Sequence, residues 1–107
     1  NEPTFSGCVI EARPLGVFRL VDKGQLDDKV LAVPHTDPLF QGYRSLEDVP
    51  PHFLDEVTHF FNVYKDLESA EVVGKGWEGL EQAYAEVEHA VERYQKKLKN
   101  LFGKHLP

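Results

Sequence analysis

The stretch from Gly7 to Pro34, GCVIEARPLGVFRLVDKGQLDDKVLAVP, constrains the fold of this chain most. Apolar and polar residues alternate through it with the period of two that belongs to strands, not the 3.6 of helices. Cys8, Ile10 and Ala12 fall on one side and Val9, Glu11 and Arg13 on the other, which predicts a first strand over Cys8–Arg13. Pro14 and Gly16 then punctuate the chain, and a second strand is expected over Val17–Val21. Val30–Val33 is nearly all apolar and predicts a third strand, buried on both faces. Between the second and third strands lies a polar loop, Lys23–Asp28, which carries Asp27 and Asp28 and is bracketed by Asp22 and Lys29. Phe18 and Leu20 share a face and Asp22 continues it, so the Asp22 carboxylate is expected at the end of the inward, apolar side. Lys29 has the parity of Leu31 and Val33, which lets its ammonium reach the same mouth.

Residues 34–50 are rich in Pro, Gly and Asp and read as a long ordered loop, with one helical turn at Ser45–Asp48. Pro51 suits the first turn of a helix. Phe53, Val57, Phe60, Phe61, Tyr64 and Leu67 then recur at three- and four-residue spacing, predicting a helix with Tyr64 facing the body of the protein. Glu71–Lys75 reads as a short strand closed by Gly76 and Trp77. A long helix is expected from Glu78 to Leu101, with Leu80, Tyr84, Val87, Val91, Tyr94, Leu98 and Leu101 in one stripe and Gly103 near its end. Its acidic residues crowd the first half and its basic residues the second, which complements the helix dipole and reads as a solvated packing helix. Three strands, a helix, a strand and a helix make an α+β domain over residues 1–107. Four strands are too few to close a barrel, so an open edge is expected unless further chain or a partner covers it.

At 107 residues the chain has room for one small domain. Its longest apolar run falls far short of the ~20 residues of a membrane span, and no signal peptide opens it. The single cysteine, Cys8, leaves no internal disulfide and suits a reducing cytoplasm. A net charge of −6 argues against nucleic acid as the main partner. A small polyanion remains compatible with it where metal ions supply positive charge. The chain contains no methionine and begins at Asn1, so it is expected to be the downstream part of a longer chain.

Asp22, Asp27 and Asp28 beside Lys29 read either as a polar hairpin loop or as a metal and phosphate site. The second reading rests on the preference of Mg²⁺ for carboxylates, water and substrate phosphate, and on lysine as a point charge for phosphate. The spacing does not match an EF-hand. Tyr64-Lys65 reads either as part of the helix core or as a phosphate clamp. Asp55 and His59, at i and i+4, have the spacing of a transition-metal pair but fit a solvated helix face better. No HExxH, glycine-rich phosphate loop or nucleophile elbow occurs, and no neighbouring base supports Ser6 or Cys8 as a nucleophile.

GCVIEARPLGV, continued by Asp22-x4-Asp27-x-Lys29-x3-Val33-Pro34, resembles the soluble family I inorganic pyrophosphatases in their bacterial form. So does LEDVPPHFLDEVTHFFNVYKDLE at 46–68, which holds the pair Tyr64 and Lys65, and so does Gly76-Trp77. The resemblance implies an OB-like β-barrel, here partial, flanked by two α-helices. It implies Mg²⁺-dependent hydrolysis of pyrophosphate to two phosphates by metal-activated water in the cytoplasm, by a homo-oligomer that is usually hexameric. By the same resemblance Asp22 and Asp27 are metal ligands, catalytic together with Lys29, while Lys29, Tyr64 and Lys65 hold the phosphates. The family's DGDPLD-type run and its upstream Glu, Lys, Arg and Tyr substrate contacts do not occur here. The chain therefore reads as the C-terminal portion of such an enzyme. The rival reading is a non-catalytic binding or assembly module that retains half of a metal and phosphate site.

Overall fold

The structure is a computed structural model that describes residues 4–67 and 72–103, without the side chains of 64–67. Strand β1, Ala12–Asp22, is its centre. β1 turns tightly through Lys23 and Gly24, whose φ angles of 53° and 79° are both positive. Two consecutive positive φ values match the right-handed twist of a hairpin, and this turn fixes the register of all that follows. The returning chain pairs antiparallel with β1, first as β2, Gln25–Leu26, and then as β3, Lys29–Pro34. Val21 faces Leu26 and Phe18 faces Lys29, so the register is the same on either side of Asp27 and Asp28. On the opposite edge of β1 runs β4, Val72–Glu78, also antiparallel. The sheet is open, and among the described residues no strand covers the outer edge of β3 or β4.

Three expectations from the sequence change here. Of the strand expected over Cys8–Arg13 only Ala12 and Arg13 are in one, as the start of β1, while residues 8–11 are not and Val9 stands 95% exposed. Pro14 and Gly16 do not end a strand either, because a bulge between them absorbs both within β1. The bulge turns Leu15 into a core of Val33 and Val49, with Leu31, Phe40, Tyr43 and Leu54 around it. Gly16 passes against Leu46, where a Cβ would come within 2.5 Å of the leucine side chain. The third strand is likewise less buried than its apolar run suggests, with Val33 alone fully inside.

Helix α1, Pro51–Leu67, covers the face of the sheet that carries Phe18 and Leu20. Phe61 stacks on Phe18 with ring centroids 5.6 Å apart, and Trp77 of β4 closes the cluster 5.2 Å from Phe18. The Trp77 indole N–H donates to Thr58 Oγ1 at 3.1 Å, tying β4 to α1. The helical turn expected at Ser45–Asp48 is present as a 3-10 turn, Leu46–Asp48, ahead of α1.

Helix α2, Leu80–Phe102, lies on the other face of the sheet. It approaches through Ala83, which is completely buried, and not through the expected stripe of larger residues. An ion-pair network secures it. Asp28 interrupts the returning strand, and its Oδ1 accepts the Leu20 N–H at 3.1 Å. Its Oδ2 accepts from Arg19 Nη1 at 2.7 Å, with only 5% of the Asp28 side chain exposed. The same guanidinium reaches Glu78 of β4 at 3.1 Å and Glu86 of α2 at 3.6 Å. Burial alone pushes the Asp28 carboxyl up, but the Leu20 N–H and the Arg19 guanidinium outweigh it and hold the group below the usual carboxylate range.

A carboxylate with a folded pKa below its unfolded value contributes stability that is complete above the unfolded value, about 4, and fades as pH falls through the folded one. Asp28→Asn should therefore cost about 1–3 kcal/mol at pH 7 in urea unfolding, since Arg19 keeps Glu78 and Glu86. The difference from the parent should shrink below about pH 4. An equal difference at pH 7 and pH 3 would contradict the role given to the ionised Asp28.

Candidate metal and phosphate site

Parity along the hairpin decides which side chains meet. Phe18, Leu20 and Asp22 share one face of β1, and the register places Lys29, Asp27 and Gln25 opposite them on that same face. Asp22, Asp27 and Lys29 accordingly line one recess of about 220 Å³, walled by Leu20, Phe60, Phe61 and Val72. The expectation that Asp22 ends the apolar side and that Lys29 reaches the same mouth agrees with this placement.

The electrostatics of the recess are uneven. Lys29 Nζ pairs with Asp27 Oδ1 at 2.9 Å, and the two side chains are 44% and 45% exposed. An ion pair so exposed contributes little stability, typically ~0–1 kcal/mol, and opens at little cost when another charge arrives. Asp22 differs. Its Oδ1 is buried and has no hydrogen-bond partner among the described residues. A buried carboxylate oxygen without a partner is costly, by roughly 1–3 kcal/mol or more for a charged group. A hard cation drawn from water removes that cost, and carboxylate oxygens are the donors that Mg²⁺ prefers. The donor set thus fits a divalent cation in kind. In number it is incomplete, because among the described residues no group of three or more His, Cys, Asp and Glu side chains is placed to hold an ion.

Asp28 does not belong to this recess. Grouped with Asp22 and Asp27 in the sequence, it points to the opposite face, into the Arg19 network. Arg19 was not signalled by any motif. Its parity with Asp28 across the hairpin register is the pattern that reveals it. Tyr64 and Lys65 fall on the last turns of α1, but their side chains lie outside the described residues. Asp55 and His59 line an open groove on the outer side of α1 with His52, Glu56, Phe60 and Val63.

Comparison with known proteins gives the chain its relatives. A family profile described as inorganic pyrophosphatase matches residues 1–95. The inorganic pyrophosphatase of Methanosarcina mazei is 48% identical over 101 residues, covering 92% of this chain and 60% of that protein. That of Nostoc is 45% identical over 95 residues, covering 89% of this chain and 56% of its own. Among solved structures, the inorganic pyrophosphatase of Thermus thermophilus superposes with a TM-score of 0.79 at 32% identity, over 87% of this chain and 55% of that one. The Helicobacter pylori enzyme gives 0.78 at 37% identity, over 86% and 56%. The chain spans less than two thirds of the length of the curated relatives it matches. With a profile match over most of its length and relatives near half identical, the chain belongs to the inorganic pyrophosphatase family.

Proposed function

We propose that this chain forms one wall of an active site that hydrolyses inorganic pyrophosphate to two phosphates, with Mg²⁺ as the cofactor. The observation that carries the reading is the convergence of Asp22, Asp27 and Lys29 on a single recess, with a buried Asp22 oxygen that lacks a partner. Membership of the inorganic pyrophosphatase family supports it.

In this reading Asp22 and Asp27 hold the cation. When bound, it neutralises phosphate charge and lowers the pKa of water enough to make a nucleophile near neutral pH. Asp22 stands at the end of β1 with one oxygen buried, and it would be the inner ligand. Asp27, now paired with Lys29 at 2.9 Å, would be the second carboxylate to hold the cation, and the Lys29 ammonium would serve a phosphate oxygen. A lysine does this as a point charge, without the planar fork that an arginine requires. Tyr64 and Lys65, near the end of α1, add a hydroxyl donor and a second cation for the phosphates. Phe61 and Val72 give the recess an apolar inner wall, and a less polar surrounding strengthens such interactions.

No described helix is long and apolar enough to cross a membrane. The proposal includes the cytoplasm as the compartment, supported by the lone Cys8, and a homo-oligomer as the working form. The rival, a module that binds metal or phosphate without turnover, draws its support from the incomplete donor set of this chain.

The test is phosphate release from pyrophosphate by the whole protein with Mg²⁺. Asp22→Asn and Lys29→Ala should each lower kcat/KM by roughly 100-fold or more while the melting temperature changes little. Unchanged turnover in either variant would overturn the role of that residue. Metal and phosphate binding by the parent without any phosphate release would favour the rival.

A further inference from the structure

Asp22 and Asp27 reach the same recess by different means. Asp22 is the last residue of β1 and pairs on both sides, with Gln25 of β2 and with Val72 of β4. Asp27 has no such frame, since neither it nor Asp28 belongs to a strand. In a hydrogen-bonded antiparallel pair the two residues exchange both N–H···O bonds. The register sets Leu20 opposite Asp27, and the Asp27 N–H donates to the Leu20 carbonyl at 2.8 Å. The return bond goes elsewhere. The Leu20 N–H donates at 3.1 Å to Asp28 Oδ1, a side-chain oxygen in the place of the Asp27 carbonyl.

That exchange decides how the peptide between Asp27 and Asp28 is turned, and so where the Asp27 side chain leaves the backbone. Arg19 braces it. Its Nη1 holds Asp28 Oδ2 at 2.7 Å, and the same guanidinium is held in turn by Glu78 of β4 and Glu86 of α2. Leu20 is buried, so its N–H needs an acceptor from the protein. Without the Asp28 carboxylate that acceptor is the Asp27 carbonyl, as in a regular ladder, and the peptide turns toward it. The Asp27 carboxylate then shifts relative to Asp22, which its two strand pairings keep in place. We propose that Asp28, braced by Arg19, is a positioning residue that sets the Asp27 carboxylate for a cation shared with Asp22. This role presupposes that Asp22 and Asp27 hold the cation. Asp28 itself meets neither cation nor phosphate, because its carboxylate lies on the opposite face of the sheet.

Mn²⁺ binding by the whole protein, followed by electron paramagnetic resonance of the free ion, separates this role from plain effects of charge or of stability. Asp28→Ala should weaken binding roughly tenfold or more. Asp28→Asn, which keeps an oxygen for the Leu20 N–H, should recover part of that loss. Arg19→Gln should also weaken binding, although removing a positive charge by itself favours a cation. Val49→Ala, in the other core cluster, should lower the melting temperature and leave Mn²⁺ affinity unchanged. Arg19→Gln and Asp28→Asn keep the test decisive where Asp28→Ala fails to fold. Parent-like binding by Asp28→Ala and Arg19→Gln, beside weakened binding by Asp22→Asn, would overturn the positioning role alone. So would tighter binding by Arg19→Gln, the mark of charge, or an equal loss in Val49→Ala, the mark of stability. Equal binding by Asp22→Asn and the parent would overturn the cation reading, and the positioning role with it.

Discussion

Alternation along the hairpin is the constraint on which the rest of the structure depends. The turn at Lys23 and Gly24 sets one register, and that register runs unchanged past Asp27 and Asp28. Two adjacent carboxylates are thereby forced to opposite faces of the sheet. Asp27 and Lys29 join Asp22 on the face under α1. Asp28 goes to the face under α2, where it takes the Leu20 N–H and the Arg19 guanidinium. A buried ion pair of this kind adds little net stability but is costly to break. Its consequence is positional. By anchoring the residue between Asp27 and Lys29, it fixes where both of those side chains leave the backbone.

Much of this follows from period-two reasoning on single strands. Phe18, Leu20 and Asp22 on one side, and Lys29 with Leu31 and Val33, were enough to bring Asp22 and Lys29 to a common mouth. What single strands do not contain is the pairing between them. Arg19 and Asp28 meet only once the register is known, so neither stood out as a structural partner. Pro14 and Gly16 carry the usual marks of a break, and their accommodation depends on Leu46, far along the chain, lying where a Cβ on Gly16 would clash. In α2, the larger apolar residues suggest the packing face. Close approach to the sheet in fact requires a small residue, and Ala83 takes that place. For Tyr64 and Lys65 the local pattern left helix core and phosphate clamp open, and only the resemblance favoured the clamp.

The described core is small and split in two, one cluster around Leu15, Val33 and Val49, the other around Phe18, Leu20 and Val72. Large apolar side chains lie outside both, with Val9 95% and Leu26 81% exposed. Among the described residues no strand covers the outer edges of β3 and β4. The recess brings two carboxylates and a lysine together, and in the proposed function that combination takes a cation and a phosphate side by side.

The central claim is that the Asp22 face of the hairpin holds a divalent cation. The most direct measurement is a Mn²⁺ titration of this chain, followed by electron paramagnetic resonance of the free ion, for the parent and for Asp22→Asn. The account predicts that the parent binds Mn²⁺ more tightly in the presence of phosphate, and that Asp22→Asn weakens binding by about tenfold or more. Equal binding by the two proteins, with no response to phosphate, would contradict it.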